Sequence, residues 1–334
     1  MNRIINPETK VDMDNRLQVS EIGTYISERI LKKRNAHQRV FSSYSLSFPH
    51  ISGKKVLAFM AIICISVSLN ASTIHWITFI NTDEPNIGEP DKNAKSLIYD
   101  RLVRTVNMEL SQYGYDYKMY DYYSGNFTKQ DCMNVVNNIK CDTNDIIVFY
   151  YIGHGRRLSK DTTNKYPTLF FDTDVKNGIP LSWIHQSLKD KKARLTLTIA
   201  VSSNTYLEGD QMSDITDVLL PSVQNCSEIP QNASQYKSSI ASGFLGYKGD
   251  IIICSASPDQ CSWAAQTPLG IMDVFTYVFI SSYESKMFSK DFLWSVFLKD
   301  VSESTEEATK DMPLYGVQTP IFDYNLKRMY TPNK

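Results

Sequence analysis

Residues Asp145–Gly155 read Asp-Ile-Ile-Val-Phe-Tyr-Tyr-Ile-Gly-His-Gly. The run from Ile146 to Tyr151 is entirely apolar or aromatic, which is typical of a strand buried on both faces of a parallel sheet. It ends in a Gly-His-Gly tripeptide centred on His154, and ligands of open α/β sheets bind at the carboxyl ends of the strands. Glycines there let backbone N–H groups approach a substrate closely. His154 is therefore a candidate for chemistry, although a sharp turn with an exposed histidine explains the same tripeptide.

A second apolar run, at residues 194–200, predicts another buried strand. Val201, Ser202, Ser203 and Asn204 follow it as a short polar turn. Strand and helix patterns alternate around the two runs, which predicts an α/β fold with a doubly wound, mostly parallel sheet and helices on both faces, in three layers. The predicted strands are 75–80, 115–120, 146–151, 168–171, 194–200 and 250–255, and the predicted helices are 91–112, 128–139, 180–188, 272–283 and 290–309.

This order of strand, Gly-His-Gly, helix, strand and polar turn resembles the caspase and metacaspase family, peptidase clan C14, in its bacterial form. Residues 254–264 and the tripeptide Gln318-Thr319-Pro320 also look like family segments, so the resemblance covers about residues 74–325. It implies that His154 acts as general base and then as general acid. It also implies that backbone N–H groups of Gly155 and Ser203 form an oxyanion hole. The substrate contacts that it implies are Val201, Ser202, Ser255, Ser257 and Trp263.

Two residues depart from the family pattern. Ser203 stands at the position of the nucleophilic cysteine, and Val201 stands where metacaspase-like members carry an acid that prefers a basic P1 residue. Serine has no accessible anion near pH 7 and needs a base that is held and oriented for oxygen. The two departures favour a protease-dead homologue that binds a peptide or protein through the substrate groove.

Two alternatives stay open. One is an active endopeptidase of the same fold, in which Ser203 acts with His154 or in which serine has replaced a natural cysteine. The other is an unrelated doubly wound α/β binding domain. The positions of His154 and Ser203, each just past a predicted strand, argue against the unrelated domain.

Composition limits the other classes of function. The chain has 334 residues, of which 42% are hydrophobic and 21% charged, with a formal net charge of −1, so nucleic-acid binding is not expected. The cysteines form no CxxC pair and no EF-hand-like loop occurs, so we expect no metal and no cofactor. The six cysteines are Cys64, Cys132, Cys141, Cys226, Cys254 and Cys261.

The amino-terminal part differs in character from the rest. Residues 1–55 carry ten Lys or Arg against five Asp or Glu, which predicts a basic, flexible extension. An apolar run then follows Lys54 and Lys55, and Leu69 and Ala71 resemble a cleavage site, so residues 56–71 read as a signal peptide or signal-anchor. A buried core helix is the alternative.

The predicted organisation is therefore an extension, an export segment and one caspase-like domain over residues 72–334. Within that domain we predict a large-subunit-like part (74–207), a linker (208–246) and a small-subunit-like part (247–330). The export segment predicts a periplasmic, cell-envelope or secreted protein, or one tethered to a membrane through residues 56–71. The oligomeric state is left open.

Overall fold

The computed structural model describes residues 71–85, 87–158, 164–172, 178–206, 239–286, 289, 291–311 and 316–329. Its strands are β1 (Ser72–Ile80), β2 (Tyr115–Tyr123), β3 (Ile146–Ile152), β4 (Gly155–Arg156), β5 (Thr168–Leu169), β6 (Ile179–Pro180), β7 (Leu195–Val201), β8 (Tyr247–Cys254), β9 (Ala264–Thr267), β10 (Gly270–Asp273) and β11 (Ile321–Arg328). Six of them form the main sheet in the order β11-β8-β7-β3-β1-β2. Every neighbouring pair is parallel except β8 with β11.

Helices cover both faces of this sheet. They are α1 (Gly88–Leu97), α2 (Arg104–Ser111), α3 (Lys129–Asn138), α4 (Leu181–Lys189), α5 (Ile240–Leu245), α6 (Val274–Lys286) and α7 (Trp294–Thr309). A π-helical segment, Ile98–Val103, joins α1 to α2, so the long helix predicted there contains a widened turn. One apolar cluster packs α1, α2, α5, α6 and α7 against one face of the sheet. A second cluster packs α3 and α4 against the other face, which confirms the three-layer α/β architecture.

The two apolar runs form the central strands as predicted. Strands β3 and β7 are buried along their whole length, because helices cover both of their faces. The predicted start of α3 is also confirmed. Thr128 caps this helix, and its Oγ1 accepts a hydrogen bond from the backbone N–H of Asp131 at 3.0 Å.

The carboxyl-terminal third differs from the prediction in three places. The helix predicted from residue 272 begins at Val274, because the preceding residues pair as the antiparallel hairpin β9–β10. The predicted linker 208–246 contains helix α5 near its end. Strand β11 was not predicted, although apolar and polar residues alternate along it, which is the pattern of a half-buried strand.

The strand order places a crevice beside β3. From β1, the chain moves to β2 on one side of the sheet and to β3 on the other, so the order reverses between β1 and β3. In open α/β sheets, ligands bind outside the carboxyl ends of the strands at such a switch point. The loop after β1 and the turn after β3 both lie at this edge.

The predicted amino-terminal elements fall largely outside the structure. Residues 1–70, which include the basic extension and all of the export segment except Ala71, are not among the described residues. Among those that are described, no helix combines the length and the apolar character that a bilayer-spanning helix requires.

Candidate active site

The turn after β3 and the turn after β7 lie side by side. The backbone N–H of Gly153 donates to the carbonyl of Val201 at 3.1 Å. A Cβ atom on Gly155 would lie 2.5 Å from the Oγ of Ser202 and 3.0 Å from the carbonyl oxygen of Ser203. Only glycine fits at this close approach, so the Gly-His-Gly tripeptide brings the histidine-bearing turn against the serine turn.

His154, in the turn after β3, is half-buried. Its Nε2 atom has no hydrogen-bond partner among the described residues. The hydroxyl of Tyr151 donates to the carbonyl of His154 at 2.7 Å and so fixes the backbone of the tripeptide. Burial lowers the pKa of His154, and the carboxylate of Glu84 raises it by a smaller amount. The imidazole is therefore neutral near pH 7, which is the protonation state that a general base needs.

Ser203 is half-buried, and its hydroxyl is engaged by the segment that follows β8. Its Oγ accepts a hydrogen bond from the backbone N–H of Ser262 at 3.1 Å. Cys261, the residue before Ser262, lies beside Ser203. Burial raises the pKa of the Cys261 thiol, and the hydroxyl of Ser203 lowers it by less. Burial raises the pKa of Cys254 to about 12, so neither thiol ionises readily near pH 7.

Buried polar side chains fix the turn after β7 through hydrogen bonds to neighbouring backbone groups. The Oγ of Ser255 accepts a hydrogen bond from the backbone N–H of Ser202 at 3.0 Å. The Nδ2 of Asn204 donates to the carbonyl of Ala256 at 3.1 Å. The Nε2 of Gln318 donates to the carbonyl of Ser255 at 2.8 Å. The turn after β7, the end of β8 and the segment before β11 therefore form one hydrogen-bonded unit, which fixes the backbone around Ser203.

The residues predicted to contact substrate lie at two depths. Ser257 is half-buried, and it donates from Oγ to the carbonyl of Thr319 at 2.7 Å. The other four are buried, with exposed fractions of 3% for Val201, 2% for Ser202, 0% for Ser255 and 4% for Trp263. Val201 packs into the apolar cluster beneath the site, where an acid would lack solvent. Peptide contact by these five residues stays a prediction, and the described arrangement favours it for Ser257.

The family assignment agrees with this arrangement. A sequence model of the caspase domain, peptidase family C14, matches residues 103–322, which is more than half of the chain. The chain belongs to the caspase-domain family. No curated protein matches the chain. The caspase domain is also similar to the crystal structure of protein GSU0716 from Geobacter sulfurreducens, with 11% sequence identity and a TM-score of 0.38, over 76% of this chain and 93% of that chain.

Two residues of this caspase domain were missed by sequence reasoning. Glu84 acts on the charge of His154 from the loop after β1. Its position just past a strand was the available signal, since loops at the same sheet edge converge. Cys261 meets Ser203 only because the segment after β8 folds back over the serine turn. No local pattern marks that contact in the sequence.

Proposed function

We propose that this caspase domain is a protease-dead homologue of the C14 peptidases, whose groove binds a peptide or protein segment. One observation carries the proposal. The hydroxyl of Ser203 bonds to the backbone of Ser262, while Nε2 of His154 has no hydrogen-bond partner among the described residues. A serine nucleophile needs a hydrogen bond to its base, and that base must be oriented by a third group.

The neighbouring thiols do not replace the missing nucleophile. The attacking species of a cysteine is the thiolate, and a raised pKa reduces the fraction of thiolate near pH 7. Burial raises the pKa of both Cys254 and Cys261. Cys254 is also fully buried in the core, where a substrate cannot reach it. These two cysteines are therefore poor substitutes for a cysteine at position 203.

The hydrogen-bonded backbone around Ser203, which we call the frame, supports a binding role. The close approach at Gly155 and the hydrogen bonds of Asn204 and Gln318 are all present. Such a frame presents backbone groups in fixed positions, which is how an extended peptide is recognised without chemistry. The same frame, with a neutral His154, also supports the alternative of a working peptidase that uses Ser203.

Peptide cleavage by the full-length protein, with a library that scans the P1 residue, separates these functions. We expect no cleavage by the parent and cleavage by Ser203→Cys, with a rate gain on the order of 10³-fold or more, because a thiol needs less activation than a hydroxyl. Adding His154→Ala to Ser203→Cys should abolish the gain. Adding Cys261→Ser should leave it, which excludes the second thiol as the nucleophile.

Two other results would change the assignment. Cleavage by the parent that His154→Ala abolishes would overturn the protease-dead proposal in favour of a serine-dependent peptidase. Silence of both the parent and Ser203→Cys, with near-native circular dichroism, would show that the catalytic geometry has been lost together with the nucleophile. Peptide capture from the same library by the parent would then be the direct test of the binding role.

A further inference from the structure

A second cluster of chemically reactive side chains lies at the amino-terminal edge of the main sheet, opposite to the candidate active site. His75 lies in the first half of β1, and Cys141 and Asp145 lie in the segment that leads into β3. One ligand atom from each residue lies within 4.8 Å of the other two. His75 lies far from the other two residues in the chain, so no short sequence motif indicates the cluster.

His75 is held in place and carries an unsatisfied nitrogen. Its side chain is 1% exposed, and its Nδ1 atom has no hydrogen-bond partner among the described residues. The imidazole stacks on Tyr120, with ring centroids 6.1 Å apart and planes at 19°. Nε2 is the ring nitrogen that faces Asp145, so Nε2 is the atom in position to act as a ligand.

Asp145 is oriented in advance by the backbone. Its Oδ1 accepts a hydrogen bond from the N–H of Thr73 at 2.7 Å, and its Oδ2 accepts one from the N–H of Asp142 at 2.8 Å. The Oδ2 atom also lies 3.1 Å from Nε2 of His75. Each carboxylate oxygen has two lone pairs, so a ligand bond can form while the backbone bonds remain. Outer hydrogen bonds of this kind are what fix carboxylate ligands in metal sites.

The donor set and its spacing fit one class of ion. We propose that His75, Cys141 and Asp145 bind a Zn²⁺ ion, with water in the fourth position of a tetrahedral site. Zinc bonds of ~2.0–2.3 Å at tetrahedral angles place neighbouring ligand atoms roughly 3.3–3.6 Å apart. The distance of 3.1 Å between Nε2 of His75 and Oδ2 of Asp145 is close to that spacing. Mixed nitrogen, sulfur and oxygen donors suit zinc better than magnesium or calcium, which take oxygen ligands.

Charge and access also favour a divalent cation. A thiolate and a carboxylate together balance the two positive charges of the ion, and a neutral imidazole adds none. The thiol proton of Cys141 passes to the buffer as the zinc–sulfur bond forms. Cys141 is half-buried and Asp142 beside it is exposed, so solvent reaches the edge of the cluster. The ion would link the segment before β3 to β1 and stabilise the folded state by binding it selectively.

Metal titration of the full-length protein tests this site. We expect Co²⁺ to give a sulfur-to-metal charge-transfer band that saturates at about one equivalent, and Zn²⁺ to displace it, as for a single tetrahedral site with a thiolate ligand. Cys141→Ser should abolish the band and weaken zinc binding by at least about 100-fold. Cys261→Ser is the matched control, because it removes another half-buried thiol outside the cluster and should leave both readouts unchanged.

Thermal unfolding shows whether each variant is folded, so a loss of zinc binding is not confused with a failure to fold. Zinc should raise the unfolding midpoint of the parent and of Cys261→Ser, and should not raise that of a folded Cys141→Ser. Binding of equal strength in the parent and Cys141→Ser would overturn the proposal, since the ion would then occupy other residues. Absence of a one-equivalent site in the parent would overturn it as well. Neither result depends on whether the protein cleaves peptides.

Discussion

At the scale of single residues, the hydroxyl of Ser203 influences the protonation of the neighbouring Cys261 thiol. Burial raises the pKa of the thiol, and the hydroxyl of Ser203 opposes that rise only in part. A group held largely as a thiol reacts slowly with alkylating agents, because the thiolate is the reactive form.

Ser203→Ala should slow the alkylation of Cys261. Loss of the hydroxyl removes the influence that lowers the thiol pKa, so the midpoint of the pH–rate profile should move to higher pH. The rate is measured on the full-length protein with iodoacetamide, by mass mapping of the peptide that contains Cys261. Ser257→Ala is the control, since that hydroxyl bonds to Thr319 instead. An unchanged or lower midpoint in Ser203→Ala would contradict this account.

Single residues of the site were predictable to different degrees. That Gly155 would approach the turn of Ser203 followed from two buried strands ending at one sheet edge, and the structure places these turns together. The engagement of Ser203 by the segment after β8 was not predictable, because it depends on a long-range backbone contact with Ser262. The burial of Trp263 and Ser255 was likewise not predictable, since a serine or tryptophan after a strand is found both in surface grooves and in the core.

At the scale of elements, strand β8 depends on one glycine. Gly249 has φ of +136°, a backbone conformation that side chains with a Cβ rarely adopt. A Cβ atom there would lie 1.9 Å from the carbonyl oxygen of Asn325 on β11. Its N–H donates to the carbonyl of Arg194 at 2.9 Å, just before β7. The residue thus joins β8 to a strand on each side, and its lack of a side chain allows both contacts.

Gly249→Ala should destabilise the protein by about 2–4 kcal/mol, because it combines backbone strain with a clash against β11. The free energy of unfolding is measured by denaturant titration followed by circular dichroism. Gly125→Ala is the matched control, since a Cβ there meets no atom within 4 Å, and it should change stability by no more than about 0.5 kcal/mol. Equal stability of the two variants would mean that β8 and β11 separate at little cost.

Elements with a strong period or a continuous apolar run were the predictable ones. Strands β3 and β7 are such runs, and their burial on both faces explains why the pattern was unambiguous. Strand β11 lacks a continuous apolar run; Asp323, Asn325 and Lys327 alternate with apolar residues, and this weaker period-2 pattern was missed. The last two residues of the hairpin β9–β10 were predicted as helix because Met272 continues the apolar character of α6, and only pairing with Ala265 reveals the strand.

At the scale of the whole molecule, two buried carboxyl groups shape how stability depends on pH. Asp273 caps α6 through Oδ1, which accepts from the N–H of Thr276, and burial raises its pKa to about 6. Asp91 on α1 also has a raised pKa, first because of burial and then because of the charge of Asp273. A carboxyl group with a raised pKa stabilises the fold below its unfolded pKa, and this contribution is lost as pH rises through the folded value.

Asp273→Asn should therefore remove part of the pH dependence of unfolding. A pKa that moves from 3.8 to about 6 corresponds to on the order of 3 kcal/mol. Relative to the variant, the parent should lose that much stability between about pH 4 and about pH 7.5. Asparagine still caps a helix, and the histidines titrate in both proteins, so their effects cancel in the comparison. A stability difference that is the same at both pH values would contradict the buried-carboxylate account.

The order of strands has a consequence for the integrity of the chain. Strands β2, β1, β3 and β7 come from residues before 207, and β8 and β11 come from residues after 238, so each part forms one continuous block of the sheet. The blocks meet along the parallel pairing that runs from Leu195 with Gly249 to Ala200 with Cys254. A single break in the backbone between β7 and β8 would thus cut none of the described strands and none of the described strand pairings. The nicked protein would persist as a two-chain particle, and its halves, made as separate polypeptides, would have a ready-made surface on which to reassociate.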